Sequence, residues 1–344
     1  MPSLKNLRLS FVVSAWTLTV TTAQYTLSQN LSGNNFFQGF DFLENATDLS
    51  NNFGEITCFD VFGNVHYVSQ STAQSLNMSS VNADGRVILA VDNSTSGEGN
   101  SSFGRNSISS RVWPGFFTKG QGVWPTTGEI DIVEGIFFGC FYSPDRQQVM
   151  IRNVAGANRE TNNRYSLHVS DVNCKQPTSI ASNQTGTIST AQVFGNSGLS
   201  NCNVTGEIND GCVVTDASAS NFGAPFAAQG GGVYAASWDS DGITMWFFPR
   251  NSVPDDIKTS ASPDPTKWGK PSALYPASSC DPSKDFGPQL IAIDIDICGS
   301  YAGAPDVFGQ TCGNVTAQCT DLIQEPSNYN DAYWEINSLR VYTK

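Results

Sequence analysis

The sequence predicts an all-β protein, a single sandwich or jelly roll. Three observations carry that expectation. Turn signals such as "SGNN", "NADG", "DSDG" and "SPDP" recur along the chain, with short alternating segments between them. No long amphipathic helix pattern and no internal repeat interrupts them. No low-complexity linker divides the 344 residues, so one large core is expected.

The elements follow in chain order. The opening "MPSLKNLRLSFVVSAWTLTVTTAQ" places Lys5 and Arg8 before an apolar run from Leu9 to Val20, then small residues at Thr21 and Ala23. That is the pattern of a secretory signal peptide over 1–23, with a single domain over 24–344. No later run approaches the roughly 18 apolar residues of a spanning helix. The closing "LRVYTK" carries no apolar tail of the lipid-anchor kind. A secreted, extracellular protein without membrane attachment is expected. Eight N-x-S/T sequons, at Asn30, Asn45, Asn77, Asn93, Asn100, Asn183, Asn203 and Asn314, predict glycosylation. Nine cysteines in a secreted chain predict disulfides and leave one thiol over.

Three later segments read as strands. "DGITMWFFPR" and "YWEINSLRVY" are two. In the third, "PQLIAIDIDICG", Ile291, Ile293, Ile295 and Ile297 share one face while Ala292, Asp294 and Asp296 share the other. The net charge of −13 and pI near 4.4 exclude nucleic acid and anionic membranes as natural partners. Neutral or cationic material suits this surface, and a monomer is expected.

One strand is chemically unusual. "VWPTTGEIDIVEGIFFGC" sets Glu129, Asp131 and Glu134 in an otherwise apolar, β-branched run. Residues two apart share a strand face, so Glu129 and Asp131 point together and Glu134 points away. A one-residue β-bulge between them would return Glu134 to the same face and turn Ile130, Ile132 and Val133 toward the core. Three neighbouring carboxylates repel one another and raise at least one pKa. No structural need explains that cost. Retaining glycoside hydrolysis does, because it needs two carboxyl groups about 5–5.5 Å apart, one nucleophile and one acid/base. The central Asp can hydrogen-bond the nucleophile and keep a proton within the cluster. Metal binding and a solvated acidic edge compete with this reading. Calcium sites, however, draw on loop carbonyls and flexible spacing, and a solvated edge does not sit among Ile and Val. Only His66 and His168 are available for a zinc site or a Ser/His triad. No metal and no cofactor is assigned.

The segment "WPTTGEIDIVEG" resembles the signature of glycoside hydrolase family 16 in its bulged form. The likeness to fungal endo-1,3(4)-β-glucanases, or laminarinases, continues through "SLHVSDVNC", "GGGVYAASWDSDGITMWFFPRNSVPDDI", "KWGKP", "CGSYAG" and "AYWEINSLRVY". It implies a jelly-roll β-sandwich with a concave substrate cleft. It implies Glu129 as nucleophile, Asp131 as its supporting acid and Glu134 as general acid/base. Trp113, Trp124 and His168 match cleft positions, and Trp238 and Tyr301 are further candidates for sugar contact. Tyr301 stands where the family usually has Trp, and Ser300 and Ser237 stand where acids are common.

The chain also departs from that family. Between "GRNS" and Trp113 it lacks a stretch that elsewhere supplies two strands and a Cys-bearing turn. It carries extra residues from Phe137 to Asn158, and a smaller excess from Glu55 to Gly63. Setting aside Cys58 and Cys140 and restoring the turn would give eight cysteines and four disulfides. Altered coding at these junctions would explain both departures, and loop evolution is the alternative. The resemblance implies a secreted retaining endo-β-glucanase acting on β-1,3- or mixed β-1,3/1,4-glucan. Two alternatives stay open: a cell-wall β-glucan transglycosylase, and a non-hydrolytic β-glucan-binding protein because a cleft segment is missing.

Overall fold

The structure, a computed structural model, describes residues 25–43, 67–95, 111–135, 137–138, 162–189, 200–204, 211–259, 262–299, 303, 308, 316, 318–323 and 326–344. The expected signal peptide over 1–23, three sequons (Asn45, Asn100 and Asn314), Cys58, Cys140, Cys312, Ser300 and Tyr301 lie outside the described residues. So do the excess from Glu55 to Gly63 and all but the first two residues of the one from Phe137 to Asn158.

The described strands, in chain order, begin with β1 (Thr26–Leu31), β2 (Ser79–Val81), β3 (Val87–Ala90), β4 (Arg111–Gly120) and β5 (Glu129–Glu134). They continue with β6 (Phe137–Phe138), β7 (Arg164–His168), β8 (Thr187–Ile188), β9 (Cys212–Thr215) and β10 (Gly232–Asp239). The last are β11 (Gly242–Pro249), β12 (Ala273–Pro276), β13 (Gln289–Ile297), β14 (Tyr333–Ile336) and β15 (Leu339–Thr343). No described helix is longer than six residues, and none is long and apolar enough to cross a membrane.

One seven-stranded antiparallel sheet, in the order β13-β4-β5-β7-β9-β8 with β6 beside the start of β4, forms the first layer. Three smaller sheets, β10-β11-β12, β14-β3-β2 and β1-β15, form the layer packed against it. Alternation along each strand sorts the large sheet's faces. Ile130, Val133, Tyr165, Leu167 and Val214 meet Ile243, Met245, Ala273 and Tyr275 of the β10-β11-β12 sheet in one core. Phe116, Ile291 and Ile293 meet Phe36, Val87 and Leu339 in a second. Each fully buried side chain of this kind stabilises the fold by roughly 1.5–3 kcal/mol. The expected β-sandwich is therefore the observed one, and the opposite face of the large sheet is left for polar groups.

The segment "YWEINSLRVY" makes two strands. Tyr333–Ile336 pairs with β3, and Leu339–Thr343 pairs with β1. The break at Asn337 and Ser338 lets the chain change partners between sheets. The excess that follows Ile136 enters the large sheet at its start, with Phe137 opposite Val112 and Phe138 opposite Arg111.

Disulfides join Cys174 to Cys280, Cys202 to Cys212 and Cys298 to Cys319 among the described residues. The first closes a loop of 106 residues, for which chain-entropy arguments give about 4–5 kcal/mol. Of the described sequons, Asn30, Asn77, Asn93 and Asn183 are exposed. Asn203 is buried and its Nδ2 donates to the Ser170 carbonyl at 2.8 Å, so the folded protein cannot carry a glycan there.

Candidate active site

The bulge decides the site. On β7, Ser166 opposes Asp131 and Arg164 opposes Glu134, so three steps on β5 match two on β7. On β4 the register likewise slips by one, with Phe117 opposite Asp131 and Phe116 opposite Val133. Ile132 and Val133 are both buried in the core. The extra residue restores the phase, and Glu129, Asp131 and Glu134 stand in a row on one face. Gly128 precedes that row with φ of +74°, and a Cβ there would lie 2.3 Å from the Phe286 ring. Only glycine combines this backbone with that close approach.

Flanking strands, and the turn between β4 and β5, supply partners along the row. Trp113 Nε1 donates to Glu134 Oε1 at 3.1 Å, and Trp124 Nε1 donates to Glu129 Oε2 at 3.1 Å. Each outer glutamate thus accepts an indole N–H. The central Asp131 accepts the Ser166 hydroxyl at 2.6 Å and lies 3.0 Å from His168 Nε2. Ser166 also reaches Glu134 Oε2 at 3.5 Å, so one hydroxyl links the middle and last acids. The Trp124 and His168 rings are 5.9 Å apart. Alternation on β7 explains why Arg164, Ser166 and His168 all face the row, opposite Glu134, Asp131 and Glu129. On β4, Lys119 opposes Glu129.

Electrostatics follow from this crowding. Burial, then repulsion from Asp131, push the Glu129 carboxyl up to about 8, while His168 and Lys119 pull it back. Burial opposes charge on His168, but its hydrogen bond to Asp131 and the fields of Asp131, Glu129 and Glu134 outweigh that and raise it to about 9. The imidazole is therefore a cation at neutral pH, and Nε2 donates to Asp131. Burial lowers Lys119 to about 8, against the pull of Glu129.

Trp238 stands apart from this group. It lies directly across from Ile243, a core residue, and packs edge-on against Phe286 at 5.9 Å. By that pairing its side chain shares the face of Ile243, yet it is 42% exposed. It therefore lies across the sheet from the row of acids.

Sequence reasoning missed Ser166, Lys119, Arg164 and the acids Asp294 and Asp296 as members of this face, and Asn163 at the bulge. The period-two rule could have found Ser166 and Arg164, since both alternate with His168. Lys119 and the two aspartates needed the strand order.

The family described as "XgeA-like, catalytic GH16 domain" matches residues 151–342, beginning after the carboxylate strand. A probable glycosidase of Schizosaccharomyces pombe is 33% identical over 92% of this chain and 69% of its own length. The chain belongs to glycoside hydrolase family 16. An endo-1,3(4)-beta-glucanase of Arthroderma benhamiae is 30% identical to this family 16 chain, over 93% of the chain and 65% of its own length. Against several Aspergillus relatives the chain spans only about half their length. Among solved structures, Laminarinase 16A of Phanerochaete chrysosporium, with beta-glucans in donor and acceptor sites, matches this family 16 fold. Its TM-score is 0.71 and its identity 30%, over 93% of this chain and all of that one. An elongating family 16 beta-1,3-glucosyltransferase matches with TM-score 0.70 and 28% identity, over the same shares.

Proposed function

We propose that this chain is a retaining endo-β-glucanase that hydrolyses β-1,3- or mixed β-1,3/1,4-glucan. The observation that carries the proposal is the in-phase row Glu129, Asp131 and Glu134, with an indole donor on each outer acid. Glu129 attacks the anomeric carbon while the Glu134 carboxyl gives its proton to the departing glycosidic oxygen. A glycosyl ester to Glu129 results, and Glu134 is left as a carboxylate. Glu134 then takes a proton from water, which attacks the same carbon and releases Glu129. Attack requires Glu129 as a carboxylate, although burial and Asp131 oppose that state. The Trp124 indole, the His168 cation and the Lys119 ammonium favour it. Asp131 Oδ2 accepts from both Ser166 and His168, and Ser166 in turn reaches Glu134.

Trp113 and Trp124, each half-buried, offer ring surface to a pyranose beside the carboxyl that each one binds. Tyr301 keeps its role as a candidate sugar contact through the resemblance alone. The leader-like opening of the sequence supports export.

A second reading rests on the same intermediate. If a sugar hydroxyl replaces water, the glucan is transferred and not hydrolysed, and a glucosyltransferase shares this fold. Product analysis after incubation with laminarin, lichenan and cellulose tests the proposal. Shorter oligosaccharides with retained anomeric configuration support hydrolysis. Products longer than the substrate favour transfer. Retention of protein on glucan without any product would replace both with simple binding.

A further inference from the structure

The bulge that brings Glu134 into phase creates a local problem. Between the pairs Asp131–Ser166 and Glu134–Arg164, β5 has one residue more than β7 can match. The Ile132 carbonyl and the Glu134 amide there both turn to the same side chain. Asn163 Nδ2 donates to the Ile132 carbonyl at 2.9 Å, and Asn163 Oδ1 accepts from the Glu134 N–H at 3.1 Å. A side-chain amide offers one acceptor and adjacent donors, the same set as a peptide group. Asn163 therefore stands in for the residue that β7 lacks.

The residue is itself fixed. It is fully buried. Its own N–H donates to Asn221 Oδ1 at 3.0 Å, and its carbonyl accepts from the Asp216 N–H at 2.9 Å. Arg164, the next residue, opens β7 opposite Glu134. An amide held on both sides of its backbone has little freedom to release the bulge.

We propose that Asn163 is the positioning residue that completes the β-bulge and thereby aims the Glu134 carboxyl at the glycosidic oxygen. This rests on the reading of Glu134 as acid/base. An unsatisfied carbonyl and amide in a buried bulge would otherwise drive the strand to relax. The relaxed strand would move Glu134 before it moved Glu129, because Asn163 bonds only beyond Asp131. A shift of about 1 Å in a catalytic group costs on the order of 100-fold in rate.

The test uses leaving groups of different need. In Asn163→Ala, kcat/KM on laminarin should fall about 100-fold. On a dinitrophenyl β-laminaribioside, whose leaving group departs without protonation, the loss in the glycosylation step should stay within about threefold. Asn221→Ala removes an anchor of the Asn163 backbone but keeps the amide in the bulge, so it should lower stability without producing that split. Equal losses on both substrates, or the same split in Asn221→Ala, would overturn the proposal. Hydrogen exchange on the unaltered protein needs no variant to fold. The Glu134 amide should exchange orders of magnitude more slowly than exposed turn amides, and rapid exchange there would also overturn it. If the unaltered protein degrades neither substrate, the proposed function fails, while the exchange measurement still decides whether Asn163 closes the bulge.

Discussion

Two strands of the large sheet carry acids on the same face, and they hold them differently. On β5, Glu129, Asp131 and Glu134 are broken by a bulge and met by Trp124, Ser166, His168 and Trp113. On β13, Asp294 and Asp296 alternate without a break, opposite Gly115 and Trp113. Burial first, and then Asp296, push Asp294 well above the usual carboxylate range, while a backbone bond from Gly115 works against the shift. A Cβ on Gly115 would lie 2.6 Å from the Asp294 carboxylate, so glycine leaves the acid room beside the strand. Burial raises Asp296 to about 6, partly offset by the Tyr67 hydroxyl at 2.6 Å. The lesson is about donors. The β5 row has cations and N–H groups aimed at its oxygens and can be driven to carry charge. The β13 pair has few: Asp294 keeps its proton, and Asp296, raised less, has the Tyr67 hydroxyl as its donor.

The sharpest way to break this contrast is Glu129→Gln. That variant should lose hydrolysis by roughly four orders of magnitude or more, while glucan pull-down persists. Near-normal turnover would remove Glu129 from the chemistry and make the two rows equivalent. Glu134→Ala comes next. Its loss on natural glucan should be about 100- to 10,000-fold, with a much smaller loss for glycosylation by an activated aryl glycoside. Azide should partly rescue that variant with the activated substrate and yield a β-glycosyl azide, whereas an α product would mean inversion.

Asp131→Asn should cost about 100-fold in kcat, because Ser166 and His168 would lose the carboxylate that aligns them with both neighbours. An effect within a few-fold, with the His168 titration unchanged, would show that the central acid is dispensable.

Stability against pH sharpens the comparison further. Glu129 is raised in the folded state from 4.5 to about 8. The folded protein therefore keeps a proton that the unfolded chain has already lost. The resulting stabilisation is fully present below about pH 4.5 and disappears as pH rises through 8. His168, raised from 6.5 to about 9, acts in the same direction over a higher window. Thermal denaturation of the natural protein should therefore fall off between pH 5 and 8 more steeply than that of Glu129→Gln. At pH 8 the variant should be the more stable of the two. Parallel curves would show that Glu129 is ionised in the folded state throughout. The smallest effect belongs to β13. Asp294→Asn imitates an acid that already holds its proton, so activity at neutral pH should stay within about threefold. A loss as large as that of Asp131→Asn would erase the distinction between the strands.

Much of the site was legible because strand chemistry is periodic. An apolar, β-branched run with acids spaced two and then three apart forces either a wasted carboxylate or a bulge. That spacing alone predicts the bulge. The same period put Asp294 and Asp296 opposite the isoleucines of β13. Trp113 and Trp124 were expected as sugar platforms, yet no pattern indicated that their indole N–H groups would bind the two outer glutamates. Trp238 looked like a cleft candidate, but a strand's sequence does not say which of its two faces meets the core until its neighbour Ile243 is known.

The residues by themselves determined the all-β class, the row of three acids and its need for a bulge, because these depend on alternation between neighbours in the chain. Pairing decided the rest. Only the β4-β5-β7 register set Lys119 and His168 against Glu129, and only the β13-β4 register carried two more acids onto the same face. Asn163 closes a bulge 31 residues before it in sequence. A side chain's hydrogen-bond capacity is written in its type, but the orphaned group that it satisfies exists only after distant strands have been aligned.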